Sequence, residues 1–300
     1  MTTIIKQVEV IIIASKEKDL EDLVMNLSKS ILDQKILKRL QEISPKEKKS
    51  ILKQLGHNKL APKEYDFDFG ETHVKIGVIS DSHYGNKHHD YFLEAKIFKE
   101  FKNKKVDFVI DAGDLLDGHD MHYGQFWEQS DVTFEGQKKD FLQHRPYIKG
   151  VKQYFVSGNH MYNGFDKKLG FNSGKNIADC RDDLEWLADA EADIKITSKY
   201  RIKVIHPNDG MNAYAISYKI QKKYEAMGKD APDLLIVGHY HKAGFFPYLG
   251  GYLLLPGTTE SQTSFQKGKG ISVSMGGWII DLYFKKNKEL SRITAEFIVK

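Results

Sequence analysis

Five apolar runs scattered between residues 74 and 239 each stop on a carboxylate, an amide or an imidazole, and that recurrence limits the fold more than any other feature. "VKIGVIS" (74–80) runs into Asp81-Ser82-His83, and "VDFVIDAG" (106–113) into Asp114. "VKQYFVSG" (151–158) runs into Asn159-His160, and the start of "RIKVIHP" (201–207) into His206. "DLLIVGH" (233–239) ends on His239, with His241 two residues on. Apolar runs without alternation are the signature of strands buried on both faces. Helical spacing is predicted between them, over 90–103, 137–148, 176–190 and 212–227. "GYLLLPG", "GGWIIDLYF" and "RITAEFIV" supply further strand candidates. Strand–helix alternation predicts a layered α/β domain, and in open α/β sheets ligands bind outside the carboxyl ends of the strands.

Each polar residue alone has an ordinary explanation. Asp81 suits a helix N-cap, Asp114 a turn, Asn159 a left-handed turn and His206 a loop. A coincidence at five strand ends is different. His239 and His241 are i and i+2 of an extended chain, so both side chains reach one side. The donors are two Asp, one Asn and four His, with no thiolate. That set disfavours a structural zinc knot and suits Mn²⁺, Fe or Zn²⁺ in a catalytic role. Seven donors exceed what one ion takes, so two ions sharing a carboxylate is the economical arrangement. Such a pair clamps a phosphoryl group and activates water.

At this point the sequence resembles the calcineurin-like metallophosphoesterases, through "DSH" (81–83), "GD" (113–114), "GNH" (158–160), the histidine of "HPNDG" (206–210) and "GHYH" (238–241). The resemblance covers residues 74 to about 285. It implies a double β-sandwich flanked by helices. It also implies two divalent ions, Mn²⁺ first among the candidates. Asp81, His83 and His241 would hold the first ion, and Asn159, His206 and His239 the second. Asp114 would bridge them, and a metal-bridging hydroxide would attack phosphorus. His160 matches the family's catalytic histidine, which assists the leaving oxygen. Length and the "GHYH" pairing look closer to the diesterase and DNA-repair exonuclease branch than to Ser/Thr phosphatases, which place arginines beside the phosphate. Arg145 and Arg181 are the nearest such arginines here. In the fourth motif His206 precedes Pro207, which restricts it to extended geometry and presets it as a ligand.

Residues 1–70 differ in character. Leucines and isoleucines at helical spacing run through 16–43, and "SPKEKKSILKQLG" follows with Ser44 as N-cap, Pro45 at the first helical position and Glu47 closing a capping box. The expectation is a small N-terminal basic helical module over 1–70, a linker around 57–71, and the α/β domain over 71–300. Ten Lys/Arg against three Asp/Glu between Lys29 and Lys63 make DNA or RNA a candidate partner, with a solvated packing or dimerisation face as the plainer reading. The whole-chain charge of +4 and pI of about 8.7 are too mild to establish nucleic-acid binding. One cysteine, Cys180, excludes an internal disulfide framework and suits a reducing compartment. "VEVIIIAS" has neither the length of a membrane span nor the layout of a signal peptide, so no membrane and a cytoplasmic location are expected. His88, His89, His119 and His122 follow the first two motifs and are expected in solvated loops. "MHYGQFWEQSDVTF" (121–134) is a loop beside the site. Its aromatics are expected to fold onto the core, with stacking on a base or sugar the alternative. The function expected is phosphoester hydrolysis, of phosphodiesters first. The alternatives are a phosphomonoesterase and a nucleic-acid-binding protein on an α/β scaffold.

Overall fold

In the computed structural model the chain is described over residues 64–66, 72–210 and 215–299. The described strands are β1 (Glu64–Asp66), β2 (His73–Ile79), β3 (Phe108–Asp111), β4 (Lys152–Val156), β5 (Leu184–Ala188), β6 (Glu191–Thr197), β7 (Tyr200–Ile205), β8 (Leu234–Val237), β9 (Ala243–Tyr248), β10 (Gly251–Pro256), β11 (Gly276–Phe284) and β12 (Leu290–Val299). They form two six-stranded sheets, ordered β1-β6-β7-β8-β10-β9 and β12-β11-β2-β3-β4-β5. The middle of each sheet is parallel, β2 to β5 in one and β7, β8 and β10 in the other. Antiparallel pairs flank these cores, β6 on β7, β9 on β10, and β11 and β12 beside β2, while the edge strands β1 and β5 pair parallel with β6 and β4.

The sheets face each other. Val74, Ile76 and Val78 of β2 and Phe108 and Ile110 of β3 meet Ile194, Ile202, Val204, Leu234, Ile236 and Leu254 in one buried cluster. The opposite faces take helices. Ile79 and Val109 lie under α1 (Tyr91–Lys104) with Leu93, Ile97, Phe98 and Phe101, while Leu235, Val237 and Leu253 lie under Ile220 and Tyr224 of α4 (Tyr218–Met227). The order helix–sheet–sheet–helix is the double sandwich expected from the sequence. It explains why "LLIV" shows no alternation, since all four residues are at most 1% exposed. Truncating such a residue to Ala costs about 2–5 kcal/mol. α1 approaches so closely that a Cβ on Gly77 would lie 2.7 Å from the Phe101 ring.

The structure departs from the sequence reading in particular places. Over 176–190 the expected helix is only α3 (Ser173–Ala178), after which β5 pairs with β4. Leu184 and Leu187, three apart, fit a helical face, but β4 offers an edge to pair with and tertiary context wins. β6 and β9 were not anticipated. β9 contains Pro247, which a sheet tolerates only at an edge, and an edge is where it lies. α2 (Phe134–His144) starts and stops earlier than expected, because Thr133 caps it and Arg145 precedes Pro146. The helix expected from 212 begins at Tyr218, residues 211–214 lying outside the described residues. The N-terminal helical module also lies outside them. Within the stretch taken as linker, β1 pairs with β6. No described helix is long and apolar enough to cross a membrane.

Candidate metal centre

The carboxyl ends of β2, β3, β4, β7 and β8 deliver the candidate residues, and backbone bonds lace these ends together. The Asp81 amide donates to Gly113 O at 2.8 Å, the His83 amide to Asp114 O at 3.0 Å and the Asp114 amide to Ser157 O at 2.9 Å. The motif glycines follow from this crowding. A Cβ on Gly113 would sit 2.5 Å from His206 Nδ1, and one on Gly158 2.3 Å from Asp114 Oδ1. Asp81, His83, Asp114, His239 and His241 all have left-handed backbones, with φ of 54°, 51°, 54°, 77° and 50°. Each costs about 1–2 kcal/mol for a non-glycine residue. Strain gathered at one pocket is characteristic of a functional site.

All seven candidate donors converge. His241 Nε2 lies 3.3 Å and His83 Nε2 4.0 Å from Asp81 Oδ1, and the two Nε2 atoms are 3.2 Å apart. On the other side His206 Nε2 is 2.9 Å from Asp114 Oδ2 and 3.1 Å from Asn159 Oδ1, and donor atoms of Asp114, His206 and His239 lie within 4.8 Å of one another. Asp81 Oδ1 is 4.0 Å from His206 Nε2, so the two groups are contiguous. His160 stands between them. Its amide donates to Asp114 Oδ1 at 2.8 Å, and its ring meets that of His83 edge-on at 4.5 Å.

The ring orientations suit cation binding. His83 Nδ1 faces Asp117 Oδ1 at 3.3 Å, His241 Nδ1 faces Glu260 Oε2 at 3.5 Å, and His206 Nδ1 lies 2.6 Å from Ala112 O. The Ala112 carbonyl keeps the His206 proton on Nδ1 and turns its Nε2 lone pair inward, while His241 Nδ1 accepts from Gln266 Nε2 at 3.2 Å. His83 Nε2 and His241 Nε2, 3.2 Å apart, need a shared proton or a cation between them. Donors bonded at about 2.1 Å to one ion sit roughly 3.0–3.4 Å apart, the spacing of His241 Nε2 from Asp81 Oδ1 and from His83 Nε2, whereas His83 Nε2 stands 4.0 Å from Asp81 Oδ1. His239 directs Nε2 at Asp209 O, 2.5 Å away, which leaves its Nδ1 for a ligand.

The pocket's field demands positive charge. Burial pushes His83 down, but Glu260, Asp117 and Asp114 outweigh it and lift it to about 10. Burial likewise opposes Asp114 at His206, and Asp114 wins, lifting it to about 9. Burial would raise Asp81, yet His241 and His206 hold it at about 2. His239, buried and beside His206, falls to about 4.

Sequence reasoning missed the residues that hold the donors in place. Asp117 is buried and accepts from Asn86 Nδ2, Gln125 Nε2 and Gln129 Nε2 at 3.1, 2.9 and 2.7 Å, and its carbonyl takes His160 Nδ1 at 2.6 Å. Its signal was a carboxylate three residues past Asp114 in the same strand-end loop. Glu260 and Gln266 carry no such signal. Gln266 lies in α5 (Ser264–Gly268), with its Nε2 3.2 Å from His241 Nδ1.

The two arginines considered for the phosphate do other work. Arg145 is buried, with NH1 on Glu94 Oε1 and NH2 on Asp111 Oδ2, both at 2.7 Å. Glu94 also accepts from Ser82 Oγ at 3.2 Å, and Asp111 Oδ1 from the Gly113 amide at 3.1 Å. Arg145 therefore braces the two loops that carry Asp81, His83 and Asp114. Arg181 is paired to Asp183 at 2.7 Å. His89, expected in a solvated loop, is instead buried, its Nδ1 2.6 Å from Ser82 O.

Imidazoles and carboxylates gathered at the carboxyl ends of two stacked sheets are the layout of a metal-dependent phosphoester hydrolase. Residues 74–274 match the model of the calcineurin-like phosphoesterase superfamily domain, and the chain belongs to that superfamily. A search of curated proteins finds no match. Among solved structures the chain is similar to an archaeal phosphodiesterase (16% identity, 74% of this chain and 100% of that one, TM-score 0.38). It is also similar to vacuolar protein sorting 29 from Cryptosporidium parvum (16%, 77% and 100%, 0.40) and to the phosphoesterase YfcE from E. coli (9%, 74% and 98%, 0.38).

Proposed function

We propose that this phosphoesterase hydrolyses phosphodiesters with two divalent cations, Mn²⁺ by preference. Asp81, His83 and His241 would hold one, Asn159, His206 and His239 the other, and Asp114 would be shared. The observation that carries two ions is charge: Asp81, Asp114, Asp117 and Glu260 are each at most 2% exposed around imidazoles whose nitrogens face one another. Two divalent cations balance four carboxylates. Bound there, they supply charge against the phosphoryl oxygens and lower the pKa of water.

The remaining chemistry belongs to the protein. With Nδ1 on the Asp117 carbonyl, His160 has a fixed ring and an Nε2 that, once protonated, is positioned to give that proton to the departing oxygen, against burial that lowers its pKa. The strained backbone holds the donors before substrate arrives, so little reorganisation is needed in the transition state. A diester is favoured over a monoester because, among the described residues, Arg145 and Arg181 are both engaged away from the pocket. A monoester dianion has more charge to neutralise.

The test compares bis-p-nitrophenyl phosphate with p-nitrophenyl phosphate under Mn²⁺, alongside elemental analysis. The expected result is faster diester hydrolysis and two ions per chain. Faster monoester hydrolysis, or one ion in fully active protein, would overturn it.

A further inference from the structure

Two segments that contact the candidate site carry aromatic rings that the core does not use. Phe126 is 52% and Trp127 72% exposed, their ring centroids 4.4 Å apart. The expectation that this loop folds its aromatics onto the core holds for Phe134, at 7% exposed, and fails for these two and for Tyr123, which is fully exposed. In the second segment Phe265 is 40% exposed, with the His122 ring stacked on it at 4.1 Å and 18° between planes.

These rings come from two separate segments, and each segment is bolted to the candidate site. Gln125, the neighbour of Phe126, is buried and donates to the carbonyl and carboxylate of Asp117, both at 2.9 Å; Gln129 reaches the same carboxylate at 2.7 Å. Asp117 faces His83 and accepts from His160. Gln266, the neighbour of Phe265, is buried against His241. Glu128 joins the two segments by accepting the Ser264 amide at 2.6 Å. Exposed large rings are stabilised when apolar or π surface covers them, and ordered rings give up little entropy when it does. The surrounding charge suits a polyanion. Lys87 is tied to the Trp127 carbonyl at 2.9 Å, and Lys267 and Lys269 are exposed in and just after α5.

We propose that Phe126, Trp127 and the stacked His122–Phe265 pair are a base-stacking platform, and that the substrate is a single-stranded nucleic acid. One base lies on the rings while the adjoining phosphodiester enters the pocket, so the inference rests on the diesterase reading above. Unpaired bases are required, because a duplex keeps its faces stacked. Stacking of this kind is worth roughly five- to a hundred-and-fiftyfold per base.

The test sets a thymidylate hexamer against a hexamer of the same charge built on abasic sugars. With Mn²⁺, the wild-type protein is expected to cleave the thymidylate chain at least tenfold faster at low concentration. Trp127→Ala and Phe126→Ala move that ratio towards one, whereas Tyr147→Ala, an exposed ring outside the platform, keeps it. Binding is read separately in EDTA. Trp127 is the most exposed of the three tryptophans, so the thymidylate chain quenches emission where the abasic chain does not, and Trp127→Ala removes the effect. Equal cleavage of both hexamers overturns the platform and leaves the diesterase reading standing. Cleavage of bis-p-nitrophenyl phosphate with neither hexamer cut rules out nucleic acid as substrate. Failure on every diester overturns both.

Discussion

Arg145 and the ring of imidazoles above it are both buried knots of charge at the ends of β2 and β3. In the lower knot one guanidinium reaches Glu94 and Asp111 at 2.7 Å and takes Gln153 Oε1 at 2.9 Å through Nε. Burial would raise Glu94, but Arg145 holds it at about 2, while burial lifts Asp111 to about 6. The protein supplies its own cation there. In the upper knot the bases paired with Asp81, Asp114, Asp117 and Glu260 are imidazoles. A side-chain cation locks geometry; a site left for mobile cations keeps room for chemistry. The strained φ values among the candidate donors belong to the upper knot, and the brace beneath helps hold them.

The largest effect expected lies in the upper knot. Asp114→Asn preserves shape and removes charge. Turnover is expected to fall at least about a thousandfold, roughly 4 kcal/mol of transition-state stabilisation, with bound Mn²⁺ falling in parallel. His160→Ala is expected to cost about 10²–10³ in turnover while metal content stays near wild type. Elemental analysis beside kinetics separates the two. An Asp114→Asn protein that holds Mn²⁺ and turns over normally would erase the distinction between the knots.

The lower knot breaks differently. Arg145→Met leaves two carboxylates buried without their cation and is expected to cost about 3–5 kcal/mol of stability, read from the denaturant midpoint. The loss should be the same in EDTA and in Mn²⁺. If it vanished in Mn²⁺, Arg145 would belong functionally with the pocket rather than beneath it.

How much of this was legible in the sequence depends on the range over which each signal acts. The five strand ends were readable because the apolar run and its terminal residue adjoin in the chain, and the glycines beside them mark close approach. The layered α/β architecture followed from non-alternating strands, and the double sandwich only from the resemblance carried by the strand-end motifs. What escaped depended on distant contacts. Glu260 matters because β10 lies beside β8, and Arg145 because α2 ends over β3. Leu184–Ala188 became a strand because β4 needed a partner. The exposure of Phe126 and Trp127 could not be read either, since a core-facing and a solvent-facing aromatic are written with the same letter.

The smallest effect expected concerns a third kind of buried carboxylate, with neither arginine nor imidazole to face. Asp166 is 8% exposed, and its Oδ1 accepts the Ser173 amide at 2.9 Å. Burial lifts it to about 6, hydrogen bonds from Ser173 opposing and Asp189 reinforcing the shift. A carboxyl whose pKa is higher folded than unfolded binds its proton more tightly in the folded state. It therefore costs nothing below about pH 4 and progressively destabilises the fold as pH rises to 6, staying unfavourable above that. Asp166→Asn, which carries no charge to bury, is expected to raise Tm by a few degrees at pH 8 and to lose that advantage at pH 4. A gain of the same size at both pH values would mean that packing, not ionisation, governs the site. A loss at pH 8 would mean that Asp166 has a cationic partner after all and belongs with one of the two knots.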